Sequence, residues 1–315
     1  MRKPCIALAV GGDSEERDIS LMSGQAVYKA LRGGKYKIKR YDLRKNLTKF
    51  ILDAVDGNFD LVLPILHGKN GEDGKLQGML DFLGIPYVFS SCSASALAID
   101  KPFTKLLAKS IGLTTPKDIV IVKKNKINIQ QITKKMPLPI VIKPAKTGSS
   151  IGMTIAKNIT ELKKGIKLAF GYDSKIILEE FIRGREFTVA VIETKNKPKA
   201  LPVIEIIPKI SDWFDYQAKY KKDASEEICP AIIPKDITIK LQKQAVEIHH
   251  ALGCKDLTRS DFIWNEKDNK FYFLELNTIP GLTDISLVPK SINASGVKFS
   301  DFLEKIIDNN LNKNV

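Results

Sequence analysis

A predicted β-hairpin at residues 259–277 constrains the fold of this chain more than any other segment. Two runs rich in Phe, Trp and Leu flank a polar turn at 265–270, and this pattern is typical of two paired strands. The segment therefore predicts an apolar ribbon on which a small number of polar side chains converge.

The polar side chains of this hairpin fall on one face. Side chains alternate along a strand, so Arg259 and Asp261 share a face, and so do Glu275 and Asn277. Pairing across the turn places Asp261 opposite either Leu274 or Glu275. In the second register two carboxylates meet, and their repulsion favours a hard cation such as Mg²⁺, with substrate phosphates completing its shell. The alternative is a surface hairpin with solvated polar residues.

Size and composition indicate a folded protein of several domains. The chain has 315 residues, of which 43% are hydrophobic and 27% charged, so we expect two or three domains rather than a disordered chain. No apolar run approaches the roughly 20 residues that span a bilayer, and the N-terminal run is too short for a signal peptide. We expect a cytoplasmic protein with no membrane partner.

The net charge of +14 admits a nucleic-acid-binding protein. However, the excess lysines are spread through the chain without a sustained basic helix, so a compositional bias explains them equally well. We therefore expect no nucleic-acid partner, and note that a positive field also attracts anionic substrates such as nucleotides. The four cysteines lie far apart in sequence and predict neither a zinc site nor a disulfide framework.

The first hundred residues are predicted to form a small parallel-sheet α/β domain. An apolar run at 5–10 leads through Gly11 and Gly12 into a helix near 20–31, which is the opening of an α/β unit. Further strands are predicted at 36–41, 59–66 and 86–89, and a helix at 75–83.

Two glycine-rich loops follow predicted strands. The first, H-G-K-N-G-E-D-G at 67–74, lacks the spacing of a P-loop. The second, at 145–153, follows a strand at 141–144 that carries Lys143, and its backbone N–H groups and hydroxyls could bind phosphate oxygens beside that lysine. An ordinary turn is the alternative interpretation.

Two segments of the second half of the chain have distinct patterns. Residues 208–230 match no regular element and carry four aromatic side chains, which predicts a closing flap. A helix at 236–252 has a single apolar stripe and ends in His249 and His250. The helix C-terminus favours a proton on either histidine, and the two point about 100° apart, so they cannot share one metal ion.

Six segments in order resemble the D-alanine–D-alanine ligase family of the ATP-grasp superfamily, over almost the whole chain. They are G-G-D-S-E-E-R-D-I-S-L-M-S-G (11–24), H-G-K-N-G-E-D-G-K-L-Q-G-M-L (67–80), V-I-K-P-A-K-T-G-S-S-I-G-M (141–153), E-F-T-V-A (186–190), D-Y-Q-A-K-Y (215–220), and R-S-D-F…L-E-L-N-T-I-P-G-L-T…S-L-V-P (from 259). The resemblance implies an α/β protein, α+β in its ATP-binding part, with an ATP-grasp fold preceded by a small parallel-sheet domain. The implied domains are 1–100, 101–185 and 186–315, the last with the flap and the metal site.

The same resemblance implies an activity. ATP converts the carboxylate of one D-alanine into an acyl phosphate, and the amine of a second D-alanine attacks it to give D-alanyl-D-alanine for peptidoglycan precursors. Alternatives are formation of D-alanyl-D-lactate or another ATP-grasp carboxylate–amine ligation. The family also implies a homodimer.

The nucleotide and metal sites are implied by position. Lys101 and Lys143 match the lysines that hold the α- and β-phosphates, Glu179 the reader of the adenine amino group, and Glu186 the ribose ligand. The full set implied for ATP is Lys101, Lys143, Ser150, Met153, Glu179, Phe181, Glu186, Trp213 and Leu274. The ligands implied for two Mg²⁺ ions, with Mn²⁺ as a substitute, are Asp261, Glu275 and Asn277.

The amino-acid site is also implied by position. Glu16 matches the partner of the first ammonium group, and Arg259 with the Gly281 backbone N–H matches the groups that stabilise the oxyanion. Ser286 and the Leu287 backbone match the groups that receive the second carboxylate. The remaining residues implied at this site are His67, which contacts substrate, Ser149 and Tyr220, which form a hydrogen-bonded set with Glu16, and Lys219, near the γ-phosphate. A tyrosine at 220 favours an amine acceptor over D-lactate.

Overall fold

The computed structural model describes residues 2–194, 197–209 and 224–312. Three sheets account for the strands of these ranges. None of the helices in the described ranges is long and apolar enough to cross a membrane.

The N-terminal part contains a three-stranded parallel sheet in the order β2-β1-β3. Strands β1 and β3 are buried along their whole length, as expected for parallel strands covered on both faces. Its elements are β1 (Cys5–Val10), α1 (Arg17–Leu31), β2 (Lys37–Asp42), α2 (Leu43–Val55), β3 (Leu61–Ile65), α3 (Lys75–Phe82) and α4 (Cys92–Ile99).

The predicted strand at 86–89 is wrong. Only Tyr87 bridges to Val62, in parallel, and the chain then turns at Phe89, whose φ is +78°. The Phe89 N–H donates to Asp256 Oδ2 at 2.8 Å instead of continuing a ladder. This long-range bond explains why the local apolar pattern was misleading.

The central part contains a four-stranded antiparallel sheet in the order β4-β7-β5-β6. Ile140 and Ile142 point to the core against α7, so the alternating residues Val141 and Lys143 face the opposite side. The elements are α5 (Lys101–Ser110), β4 (Asp118–Val122), α6 (Ile129–Lys135), β5 (Ile140–Pro144), β6 (Thr154–Ala156), α7 (Ile159–Tyr172) and β7 (Lys175–Glu180).

The C-terminal part contains an antiparallel sheet in the order β11-β10-β8-β12-β13, with β9 paired to β8. The predicted hairpin forms its β12–β13 edge. The elements are β8 (Arg185–Thr194), β9 (Lys197–Ala200), β10 (Ile204–Pro208), β11 (Ser225–Ile228), α8 (Lys235–Ala251), β12 (Leu257–Asn265), β13 (Lys270–Asn277), α9 (Leu287–Ala294) and α10 (Phe299–Leu311).

The segment 208–230, predicted to be irregular, is partly regular. Its described end contains β11, which pairs with β10 in antiparallel orientation. Ser225 lies opposite Pro208, and Ile228 lies opposite Glu205. Residues 210–223, with the predicted site residues Trp213, Lys219 and Tyr220, lie outside the described residues.

A β-bulge fixes the register of the hairpin. Asp261 lies opposite Glu275, which confirms that register, whereas Phe262 lies opposite Phe273. Leu274 is therefore the extra residue of the bulge. As a result Leu274 and Glu275 both line the same cavity, although neighbouring residues of a regular strand would point to opposite faces.

The other face of the hairpin is covered by α8 over β12 and by α4 and α5 over β13. Phe262 and Phe273 are fully buried in a core that includes the predicted apolar stripe of this helix. A second core joins the two ends of the chain, because Leu8 of β1 and Ile306 of α10 belong to one buried cluster. The apolar face of the hairpin is thus fixed in a core, and its polar side chains lie on the opposite face. The domain boundaries remain a prediction.

The predicted proton on His249 is wrong. This ring is 1% exposed, and burial, followed by the nearby His250, lowers its pKa to about 4. The Nδ1 atom of His249 is hydrogen-bonded to Thr258 Oγ1 at 2.8 Å. The local effect of the helix terminus is outweighed because a buried imidazolium would lose its hydration.

The buried His249 predicts a loss of stability at acid pH. The unfolded chain takes up a proton near pH 6.5 and the folded chain only near pH 4, so stability falls as the pH falls through this window. Between pH 6.5 and 4.5 the residue is expected to remove about 2 kcal/mol from the free energy of unfolding. Urea unfolding of His249→Gln should lack this component, whereas the exposed-residue control His250→Gln, which removes only the smaller cause of the shift, should keep most of it. Equal pH dependence in wild type and His249→Gln would contradict this account.

Candidate functional site

A cleft of about 800 Å³, including its space open to solvent, lies between the central and C-terminal sheets. Residues of β5 and β7 line one side, and residues of β8, β12 and β13 line the other. Every described residue predicted to bind ATP lines this cleft: Lys101, Lys143, Ser150, Met153, Glu179, Phe181, Glu186 and Leu274.

Two lysines bring positive charge into this cleft. Lys143 Nζ lies 2.9 Å from Glu179 Oε2, while Lys101 Nζ donates to Thr147 O at 2.6 Å and lies 3.6 Å from Glu275 Oε2. Burial opposes the charged form of Lys143, but the carboxylates of Glu179 and Glu275 outweigh it and raise its pKa. The ammonium group is therefore charged at neutral pH, as a ligand for phosphate must be.

The predicted metal ligands lie on the polar face of the hairpin. Asp261 accepts hydrogen bonds from Arg259 Nε and Nη2, both at 2.9 Å, and from Thr188 Oγ1 at 2.6 Å. Within the described ranges no three His, Cys, Asp or Glu side chains are grouped to hold a metal ion. The predicted set is instead two carboxylates and the amide of Asn277. Because all its donors are oxygens and its carboxylates face the cleft beside the lysines, the set fits a hard cation shared with phosphates.

A second cavity adjoins the first. Its walls include every described residue predicted for the amino-acid site: Glu16, His67, Ser149, Arg259, Gly281, Ser286 and Leu287. A small cavity lies between the two, since it shares Lys101 and Glu275 with the cleft, and Glu72 and Asn277 with the second cavity. The hairpin therefore forms a continuous floor under both.

Glu16 is held between the two glycine-rich loops. It is 6% exposed, and its Oε1 accepts a hydrogen bond from Ser149 Oγ. A Cβ atom on Gly148 would lie 2.6 Å from Glu16 Oε2, and a Cβ atom on Gly68 would lie 2.9 Å from it. Only glycine allows both loops to approach the carboxylate this closely.

This packing predicts a specific effect of Gly148→Ala. The methyl group must displace the Glu16 carboxylate, so the KM for a substrate bound in the second cavity should rise at least about tenfold while binding in the cleft is retained. Steady-state kinetics with varied D-alanine and a separate titration with ATP, the two ligands that the sequence resemblance implies, measure the two effects. Gly171→Ala is the control, because its Cβ position in α7 meets no atom within 4 Å. An unchanged KM in Gly148→Ala would refute the close packing of Glu16.

His67 connects the N-terminal sheet to the turn after β13. Its Nδ1 donates to Ile279 O at 2.9 Å, so Nε2 is the acceptor that faces Ser23 Oγ at 3.3 Å. Burial lowers the pKa of the ring, which is therefore neutral. The ring lines the second cavity, but both of its nitrogens are hydrogen-bonded within the protein. We therefore expect His67 to contact substrate through ring carbons and not through a nitrogen.

Sequence reasoning missed two buried charged residues at the site. Glu72 is 7% exposed, and burial together with the neighbouring Glu16 raises its pKa to about 8, although the Gly68 N–H donates to it at 2.7 Å. The other is Lys105, which pairs with Glu179. The acidic pair in the 67–74 loop was a signal for Glu72, and the spacing of Lys101 and Lys105 on one helix was a signal for Lys105.

Two antiparallel sheets around a lysine-lined cleft, next to a cavity with its own carboxylate and arginine, define an ATP-grasp ligase. Family models agree: "D-ala D-ala ligase N-terminus" matches residues 43–90, and "D-ala D-ala ligase C-terminus" matches residues 107–308. The chain belongs to the D-alanine–D-alanine ligase family.

Individual relatives match over nearly their full length. The chain is 40% identical to a D-alanine–D-alanine ligase of Syntrophobacter fumaroxidans, with 97% of each chain covered. Among solved structures, VanG D-Ala:D-Ser ligase from Enterococcus faecalis has a TM-score of 0.82 and 31% identity, covering 98% of this chain and 99% of that one. D-alanine–D-alanine ligase from Bacillus anthracis in complex with ATP has a TM-score of 0.82 and 29% identity, with 98% of each chain covered.

Proposed function

We propose that this chain joins two D-alanine molecules into D-alanyl-D-alanine for peptidoglycan precursor synthesis, with ATP converted to ADP and phosphate. The observation that carries the proposal is the continuity of the two cavities over the β12–β13 hairpin. A nucleotide in the cleft would point its phosphates along Lys101 toward Glu275, and an amino acid beside Glu16 would meet them there.

ATP binding is assigned to the first cleft. Lys101 and Lys143 would hold the α- and β-phosphates, Glu179 would accept from the adenine amino group, and Glu186 would bind ribose. Asp261, Glu275 and Asn277 would hold two Mg²⁺ ions, or Mn²⁺. Bound there, the metal ions would offset negative charge on the transferring phosphoryl group.

The first chemical step activates a carboxylate. Glu16 would bind the ammonium group of the first D-alanine. A carboxylate oxygen of this D-alanine would then attack the γ-phosphorus of ATP, and ADP would be the leaving group. The product is an acyl phosphate. The buried position of Glu16 and Ser149 supports this role, because an ion pair formed away from water orients its ligand firmly.

The second step forms the peptide bond. The amine of the second D-alanine attacks the acyl carbon, and phosphate leaves from the tetrahedral intermediate. Arg259 and the Gly281 N–H would stabilise the oxyanion. Ser286 and Leu287 would receive the second carboxylate, which agrees with their position at the start of α9, where a helix favours an anion. Closure of the 208–230 flap, with Lys219 and Tyr220, would exclude water from the acyl phosphate.

The proposal also includes the compartment, the oligomeric state and the domain boundaries. A cytoplasmic homodimer with an N-terminal domain at 1–100 and ATP-grasp domains at 101–185 and 186–315 is expected.

A substrate panel tests the function. Purified protein with ATP, Mg²⁺ and D-alanine should release phosphate and form the dipeptide, and L-alanine should not replace D-alanine. D-lactate and D-serine as second substrates test the alternative products. Turnover with L-alanine in place of D-alanine, or a mixed product formed in preference to the dipeptide, would overturn the assignment.

A further inference from the structure

A buried lysine that does not line either cavity lies directly behind the nucleotide cleft. Lys105 of α5 is 1% exposed, and its Nζ forms an ion pair with Glu179 Oε1. The other oxygen of the same carboxylate is paired with Lys143, at 2.9 Å. In the described part of the chain Lys105 Nζ makes no hydrogen bond, so the ion pair with Glu179 is the contact that holds its charge.

The two lysines differ in position. Lys143 and Glu179 line the cleft, whereas Lys105 does not appear among its described lining residues. A buried ion pair adds little to stability on its own, since replacement by apolar residues of similar volume is often neutral or stabilising. A fully buried lysine behind a ligand-binding carboxylate therefore needs a reason other than stability.

We propose that Lys105 is a positioning residue, the resident counter-ion that holds Glu179 as a hydrogen-bond acceptor for adenine when the phosphates of ATP draw Lys143 away. This rests on the proposed function of the cleft. Phosphates compete with Glu179 for Lys143, and the oxygen that Lys143 leaves is the one available to the adenine amino group. Without Lys105 the carboxylate would then be buried with no cation.

The charges of this cluster depend on one another: burial lowers the pKa of Lys105, and the carboxylate of Glu179 opposes that effect. Although burial opposes ionisation of Glu179, Lys105 and Lys143 together lower its pKa to about 2. An ionised carboxylate only accepts hydrogen bonds, as recognition of an amino group requires, whereas a protonated one also donates. The next acidic group, Asp118 on β4, is paired with Lys109 at 2.5 Å and acts on Lys105 more weakly than Glu179 does.

Direct binding of ATP and of adenosine, measured by calorimetry in the presence of Mg²⁺, tests the proposal without requiring turnover. In Lys105→Met the dissociation constant for ATP should rise at least about tenfold. The dissociation constant for adenosine should change less than about threefold, because adenosine has no phosphates and Lys143 therefore stays paired with Glu179. Lys105→Arg should recover most of the ATP affinity. Lys109→Met, one turn later on α5, should bind both ligands as wild type does.

A double variant separates this role from a structural one. If Lys105 acts through Glu179, then Lys105→Met/Glu179→Gln should bind ATP no more weakly than Glu179→Gln alone. This variant contains no unpaired carboxylate, so it also serves if Lys105→Met fails to fold. Equal losses for ATP and adenosine, unchanged ATP binding in Lys105→Met, or additive losses in the double variant would overturn the proposal. Because wild-type ligation of D-alanine is measured separately, its failure would count against the proposed function and not against this inference.

Discussion

Glu275→Gln is expected to lower ATP-dependent turnover by about a thousandfold or more while the fold is retained. Glu275 lies opposite Asp261 and 3.6 Å from Lys101 Nζ, where the nucleotide cleft meets the amino-acid cavity. Glutamine keeps the shape of the side chain but removes the charge that would hold a metal ion beside the phosphates. The loss should therefore appear in catalysis and not in stability.

Phosphate release with saturating ATP, Mg²⁺ and D-alanine measures this effect, and urea unfolding checks the fold. Glu266→Gln is a matched control, because Glu266 is an exposed residue in the turn of the same hairpin and pairs with Arg185 Nη1 at 3.5 Å. It should retain wild-type turnover. Retention of more than about a tenth of the activity by Glu275→Gln would refute the role of this carboxylate.

Arg259→Lys is expected to lower kcat by about 10²–10³-fold with little change in the KM for ATP. Arg259 lines the amino-acid cavity and holds both oxygens of Asp261 through Nε and Nη2. The ammonium group of a lysine cannot make both of these hydrogen bonds to Asp261 and also donate to a developing oxyanion. The effect is expected in kcat, because the oxyanion develops on the way to the tetrahedral intermediate and is absent from the bound substrates.

Steady-state kinetics over a range of ATP and D-alanine concentrations separate kcat from KM for this variant. Arg2→Lys is the control, since it changes the same kind of Arg–Asp pair, with Asp60, on the surface away from both cavities. Its kinetics should match those of the wild type. A kcat for Arg259→Lys within tenfold of wild type would argue against oxyanion stabilisation by Arg259.

The hairpin was predictable because its signals are local. Alternation of apolar and polar residues and a polar turn define both strands without knowledge of the rest of the chain. The sequence pattern admits either Leu274 or Glu275 opposite Asp261, because the bulge at Leu274 is set by backbone hydrogen bonds that side-chain patterns do not encode.

Features that depend on distant partners were not predictable in the same way. The short helix α4 is built of small and apolar residues and carries no periodic signal, and α9 has only eight residues. The missing strand at 86–89 is ended by a hydrogen bond from Phe89 to Asp256. Likewise, Lys105 has its partner 74 residues further on at Glu179, and the proton state of His249 follows from burial by the tertiary fold. Local sequence thus predicts which side chains are available, and long-range packing decides their environment.

Ligation with D-alanine labelled with ¹⁸O in both carboxylate oxygens tests the central claim most directly. If the carboxylate attacks ATP and the acyl phosphate is then captured by the second amine, the dipeptide should form and each phosphate released should carry one ¹⁸O atom. Mass spectrometry of both products reads this in a single reaction. Dipeptide formed with unlabelled phosphate, or no dipeptide from D-alanine and ATP, would contradict the account.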